Sequence, residues 1–183
     1  MTTLADGIKQ GQDLVAAVDG LYAAVRGLYD QFAGANDFKD RYRSLELLIV
    51  NGSTRKLVWA DPYFDSGTTF WGPIPMNIEP GASSLWSVAS RAGAVGTGVT
   101  GGGKWNIEGT DSSFIIGFCN PFAGSYKNVV AIRGGGEGSQ WGYDNSQDEQ
   151  AKQSTESGFY ARVYMDKSEI STYNRFVYCI ADA

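Results

Sequence analysis

The sequence predicts a mainly β protein, a β-sandwich flanked by an N-terminal amphipathic α-helix and a second short helix. Three observations predict it. Aromatic residues make up 13% of the 183 and glycine occurs 24 times, a balance that favours short strands and tight turns. Beyond residue 44, short apolar or alternating runs recur at about the 8–12-residue spacing of a sandwich. Before them stands one long helical stripe. With 43% hydrophobic residues the chain can build a substantial core. We read residues 1–183 as one domain: 1–36 a detachable amphipathic helix, 37–183 the sandwich.

The first element spans residues 4–32. Leu14, Val18, Leu21, Val25, Leu28 and Phe32 fall in one stripe with Val15, Tyr22 and Tyr29, while Gln12, Asp13, Asp19, Arg26 and Asp30 fall opposite. That i, i+3/i+4, i+7 spacing is the signature of a one-faced helix. From residue 14 to 32 it would be about 28 Å long, close to the ~30 Å hydrocarbon thickness of a bilayer, yet it is too polar on one side to span alone. Such a helix buries its stripe against its own sheet, lies in a membrane interface, or lines a pore with copies of itself. It should stop near Gly34, and DFKDRYRS (37–44) reads as a linker.

Strand signals then take over. Residues 45–50 and 56–60 read as a hairpin across Asn51-Gly52. Asn51-Gly52-Ser53 also matches a glycosylation sequon, with the turn as the preferred reading. Residues 61–80 are rich in proline and read as turns with one short strand. Further strands are expected at 84–90, 94–100, 104–108, 113–119, 128–133, 158–165 and 173–180. The triple glycines 101–103 and 134–136 read as turns or loops. Residues 145–153 are polar and fit the second, short helix. Residues 96–101 fit G-x-G-x-x-G, but no helix pattern follows, so they read as a glycine-rich β segment and not a nucleotide site.

Composition excludes several functions. A net charge of −5 argues against a nucleic-acid partner and against purely electrostatic attachment to anionic lipid. The absence of histidine removes Ser-His-Asp and Cys-His catalysis and most zinc sites, so no enzyme activity, metal or cofactor is expected. Cys119 and Cys179 sit in or at the end of apolar runs and read as buried thiols, with a disulfide as the alternative. MTTLADGIKQ shows no signal-peptide pattern, and no apolar run reaches the ~18 residues of a transmembrane helix. Tyr63, Phe64, Phe70, Trp71, Phe122, Tyr126, Trp141 and Tyr143 fall in expected loops or strand ends, where aromatic side chains suit a membrane interface, a sugar-binding face or core packing.

These pieces in this order resemble the actinoporins, the sea-anemone cytolysins, and their actinoporin-like relatives. An amphipathic helix comes first. WADPYFDSGTT (59–69) is similar to the family's run with a tryptophan four before a tyrosine, then S-G-T. AVGTGV (94–99) is similar to its V-A-T-G-A-V strand, and FCNPF (118–122) with YKNVV (126–130) to its F-S-V-P loop and following strand. The loop at 123–130 lacks the family's tryptophans, and the Arg-Gly-Asp triplet is absent. The resemblance implies a secreted or released protein, soluble before insertion, that binds sphingolipid-type membrane lipid, oligomerises and inserts its helix to form a cation-permeable pore. It implies headgroup contacts from Ser66, Val99, Cys119, Pro121 and Tyr126, to which the nearby aromatics Phe122, Trp141 and Tyr143 are added. Leu14, Val18, Leu21, Val25, Leu28 and Phe32 would face lipid, and Asp13, Asp19 and Asp30 the lumen, where their charge favours cations. The alternative expectation is a lectin-like or lipid-binding sandwich without lytic activity, its partner a lipid or a cell-surface glycan.

Overall fold

The computed structural model describes residues 41–71, 77–148, 153–166 and 173–183. The helix expected over residues 4–32, with its lipid-facing and lumen-facing residues, lies outside them. Eleven strands are described: β1 (Ser44–Gly52), β2 (Leu57–Ser66), β3 (Thr68–Trp71), β4 (Ser83–Ala89), β5 (Val99–Ile107), β6 (Ser112–Asn120), β7 (Lys127–Gly134), β8 (Gln147–Asp148), β9 (Gln153–Glu156), β10 (Phe159–Asp166) and β11 (Tyr173–Asp182). They form two sheets, β3-β4-β1-β11-β10-β9 and β2-β5-β6-β7-β8, the two layers of the expected sandwich. Among the described residues one short helix, α1 (Gln140–Asp144), is present, and no helix there is long and apolar enough to cross a membrane.

Strand alternation builds the core. Leu45, Leu47 and Ile49 of β1 meet Phe114, Ile116 and Phe118 of β6 and Phe159, Ala161 and Val163 of β10 in one buried cluster. Trp86 lies at its centre, with the rings of Trp59, Phe64 and Phe118 edge-on at 5.8, 5.7 and 5.4 Å. Its indole N–H donates to Thr69 Oγ1 at 3.1 Å, so the polar atom of the buried ring is satisfied. Leu48, Val50, Val177 and Cys179 form a second cluster, and β1, flanked by β4 and β11, is buried on both faces.

A buried hydrogen bond joins the layers: Tyr178 Oη donates to the Gly117 carbonyl at 2.7 Å. Burial pushes the Tyr178 phenol well above its usual 10.0 and, against the opposing charge of Arg162, pushes the Cys179 thiol from 9.0 up to about 12. Both groups favour the protonated form when folded. As pH rises the unfolded chain therefore ionises first, and their stability is whole below about pH 9 and lost between about pH 9 and 12. Urea midpoints should be level from about pH 7 to 8.5 and fall steeply above that. Cys179→Val should remove part of the fall; a parent midpoint that holds to about pH 11.5 would contradict it.

Three expectations are corrected. Residues 45–50 and 56–60 do not form a hairpin: β1 pairs with β11 (parallel) and β4, whereas β2 pairs with β5 in the other sheet. The chain passes between layers through the bend at residues 53–55, which the Asn51 side chain holds from the end of β1. The buried Asn51 amide donates to the carbonyls of Arg55 (2.7 Å) and Ile78 (3.0 Å) and accepts from Ser53 Oγ (2.7 Å), so it is not offered as a glycan acceptor. Residues 101–103 are neither turn nor loop but the middle of one continuous strand, β5. The short helix precedes residues 145–153: Asn145 is its C-cap, and strand β8 follows.

Candidate functional site

One row of residues crosses the five-stranded sheet near one end. Register pairs Ser66 with Thr100, Thr100 with Cys119, Cys119 with Lys127 and Lys127 with Asp148. Alternation sends Val99 and Phe118 into the core and turns Thr100, Cys119 and Lys127 to the outer face. There they wall a pocket of about 380 Å³, completed by Tyr143, Asp144 and Ser146 from the end of α1 and the turn after it.

Glycine lets α1 lie on the sheet. Gly102 and Gly117 are register partners; a Cβ on Gly102 would collide with the Ser139 carbonyl, and one on Gly117 with the Gly142 carbonyl. Gly142 in turn has the Ile116 carbonyl where its own Cβ would stand. Backbone therefore rests on backbone, the close approach that glycine within a strand permits. Side chains fix the placement. Ser139 Oγ donates to Asp61 Oδ2, Tyr143 packs on Tyr63 at 5.6 Å, and Ser146 Oγ donates to the Gly142 carbonyl at 2.8 Å.

The pocket is polar and carries both signs of charge, Lys127 and Asp144. Asp65 stands beside it, its Oδ2 accepting from Thr100 Oγ1 at 3.4 Å. Burial first, then the charge of Asp65 and a hydrogen bond to it, raises Tyr143 above its usual range, so the phenol stays neutral. The walls thus offer an ammonium, a carboxylate, three hydroxyls and a thiol, a set suited to a small zwitterion.

Above the pocket, at the same end, the sandwich exposes an apolar tip. Val95 (84%), Phe122 (46%) and Tyr42 (36%) are the exposed large hydrophobic residues among those described. Ser66 Oγ donates to the Gly98 carbonyl at 3.0 Å, and Gly98 sits under the 120–122 backbone, with Pro121 Cα 2.9 Å from where its Cβ would be. The loop carrying Val95 therefore abuts the loop carrying Phe122. Tyr42 stacks on Phe122 at 5.2 Å. Arg43 donates from Nε to the Pro121 carbonyl (3.0 Å) and from Nη2 to that of Phe122 (2.8 Å), clasping the segment that enters β1 to the tip.

The residues expected at the site divide accordingly. Cys119 and Tyr143 line the pocket, Ser66 stands at the end of its row, and Pro121 and Phe122 belong to the tip. Val99 is fully buried, because alternation turns it inward where its neighbour Thr100 faces out; its side chain belongs to the core and does not line the pocket. Tyr126 is half-buried, edge-on to Phe176 at 6.5 Å, and braces the core. Trp141 lies along α1 away from the tip, with the Arg133 guanidinium 4.5 Å over its ring. Register places Arg133 opposite Ser113, toward the other end of the sheet. Sequence reasoning missed Thr100, Lys127, Asp144, Ser146, Tyr42, Arg43 and Val95. The one available signal was Val95, an apolar residue alone in a glycine-rich loop.

No protein-family model and no curated protein sequence matches the chain. Solved structures do share its fold. The crystal structure of the lipid-binding protein Nakanori aligns with a TM-score of 0.73 at 15% identity, over 98% of this chain and 88% of that one. IP-1A from Alcaligenes faecalis aligns with a TM-score of 0.50 at 13% identity, over 78% of this chain and 93% of that one. At such identities the likeness is one of fold.

Proposed function

We propose that this chain binds membrane lipid and docks by the end of the sandwich that carries the pocket and the tip. The observation that carries this reading is their adjacency: a pocket with one cation and one anion in its walls opens beside the exposed Tyr42, Val95 and Phe122. Apolar side chains at a tip gain by entering an interface, and a charged pocket beside them meets a headgroup at the same depth. The likeness to a lipid-binding fold supports it.

The finer proposal is a pore-forming cytolysin. The protein is released in soluble form, docks and oligomerises, and its N-terminal residues 1–36 leave the sandwich to line the pore. No bond chemistry is involved. Arg43 and Tyr42 support this step, because they join the start of the described chain, just after the N-terminal residues, directly to the docking loop. The second reading, lipid binding without lysis, fits the likeness to the lipid-binding protein Nakanori equally well.

Flotation and dye release on liposomes of target-cell lipid separate the two. The full chain should float with vesicles and empty them. A chain lacking residues 1–34, checked by circular dichroism, should float and release nothing. Release at the full rate by the truncated chain overturns the pore role. Flotation without release by either form favours the non-lytic reading, and no flotation with lipid but retention on glycan-coated beads overturns lipid binding in favour of a lectin.

A further inference from the structure

We propose that the pocket takes a phosphoethanolamine headgroup in preference to phosphocholine, with the primary ammonium on Asp144 and the phosphate on Lys127; this rests on the lipid-binding reading above. The walls are Thr100, Cys119, Lys127, Tyr143, Asp144 and Ser146. One wall cation and one wall anion match a headgroup that carries both charges and no net charge. A headgroup with an additional carboxylate would add a second negative charge to a pocket that already holds Asp144 and has Asp65 hydrogen-bonded to its Thr100 wall.

Donors and acceptors decide between the two zwitterions. A primary ammonium has three N–H donors. The pocket offers acceptors for them in the Asp144 carboxylate and in the hydroxyl oxygens of Thr100, Ser146 and Tyr143. The protons of these three hydroxyls are already committed, Thr100 and Tyr143 to Asp65 and Ser146 to Gly142, which leaves their oxygens with lone pairs to accept. A trimethylammonium group has no donor. It is held mainly by aromatic faces packed around it. Among the lining residues Tyr143 supplies one ring, and Tyr63 packs on that ring at 5.6 Å without lining the cavity. Seating choline here would take hydroxyls and a carboxylate out of water with no hydrogen bond in return.

The test is flotation of the full chain with vesicles that differ only in headgroup: phosphatidylethanolamine against phosphatidylcholine, and ceramide phosphoethanolamine against sphingomyelin. The ethanolamine member of at least one pair should bind about tenfold more tightly, and soluble phosphoethanolamine should compete. Asp144→Asn keeps the shape and removes the charge. It should remove the difference between the ethanolamine and choline members of each pair, which a mere effect of ethanolamine lipids on bilayer packing would not produce. Equal or better binding of the choline members, or an Asp144→Asn protein that keeps its preference, overturns the headgroup assignment and leaves lipid binding standing. Failure to float with any of the four lipids overturns lipid binding itself, and direct binding of soluble phosphoethanolamine by calorimetry would then mark the pocket as a site for the free compound.

Discussion

Gly117→Val should lift α1 off the sheet, cost about 3 kcal/mol of stability and abolish pocket binding while leaving the strand order intact. A side chain at residue 117 meets the Gly142 carbonyl and, at 2.6 Å, Ser146 Oγ. The strand cannot retreat. It is laddered to β5 and β7, and the Gly117 carbonyl accepts the Tyr178 hydroxyl from the opposite layer. The helix must move instead, against the hydrogen bond from Ser139 to Asp61 and the packing of Tyr143 on Tyr63. Its displacement carries away three of the six pocket walls, Tyr143, Asp144 and Ser146. Gly136→Val is the matched control, since nothing lies within 4 Å of the added Cβ there. Urea denaturation, near-ultraviolet circular dichroism and vesicle flotation read the two variants. A Gly117→Val protein as stable and as adhesive as the control would mean that the contact between helix and sheet does not shape the site.

What the sequence revealed follows from which signals are local. The alternation of Phe159, Ala161 and Val163 against Tyr160 and Arg162 marks β10 because strand faces repeat every second residue, and the structure places the first three in the core cluster and Tyr160, though buried, outside it. Asn51-Gly52 marks the end of β1, the chain bending at residues 53–55 just after it, but does not say which strand receives β1. Its partners arrive from residues 83–89 and 173–182, and the Asn51 amide is spent on a corner between layers. The glycines 101–103 carry a two-valued signal, since glycine marks a turn or a close approach. Only the arrival of Ser139 over Gly102, from far along the chain, decides it. The pocket was hidden for the same reason. Thr100, Cys119 and Lys127 become neighbours through register alone, and a shift of one residue separates the buried Val99 from the pocket-lining Thr100.

Phe122→Asp combined with Val95→Asp should abolish membrane docking and leave the fold unchanged. The Phe122 ring is half-exposed and touches Tyr42, and Val95 is 84% exposed in a glycine-rich loop, so neither side chain is part of the core clusters. The loop does not depend on the Phe122 ring for its shape, because Arg43 holds the carbonyls of residues 121 and 122. In a membrane interface each apolar side chain stabilises the bound state by roughly 1.5–3 kcal/mol, or tenfold or more in affinity. A carboxylate in its place forfeits that gain and adds the cost of bringing a charge toward lipid. Loss at the two sites together should exceed a hundredfold, provided they act independently. Trp141→Ala, by contrast, should bind as the parent does, since that ring lies under Arg133 away from the tip. Surface-plasmon binding to supported bilayers, with thermal melts on the same samples, tests both. Full binding by the double variant, or a large loss in Trp141→Ala, would move the docking face to the outer surface of the sheet around α1.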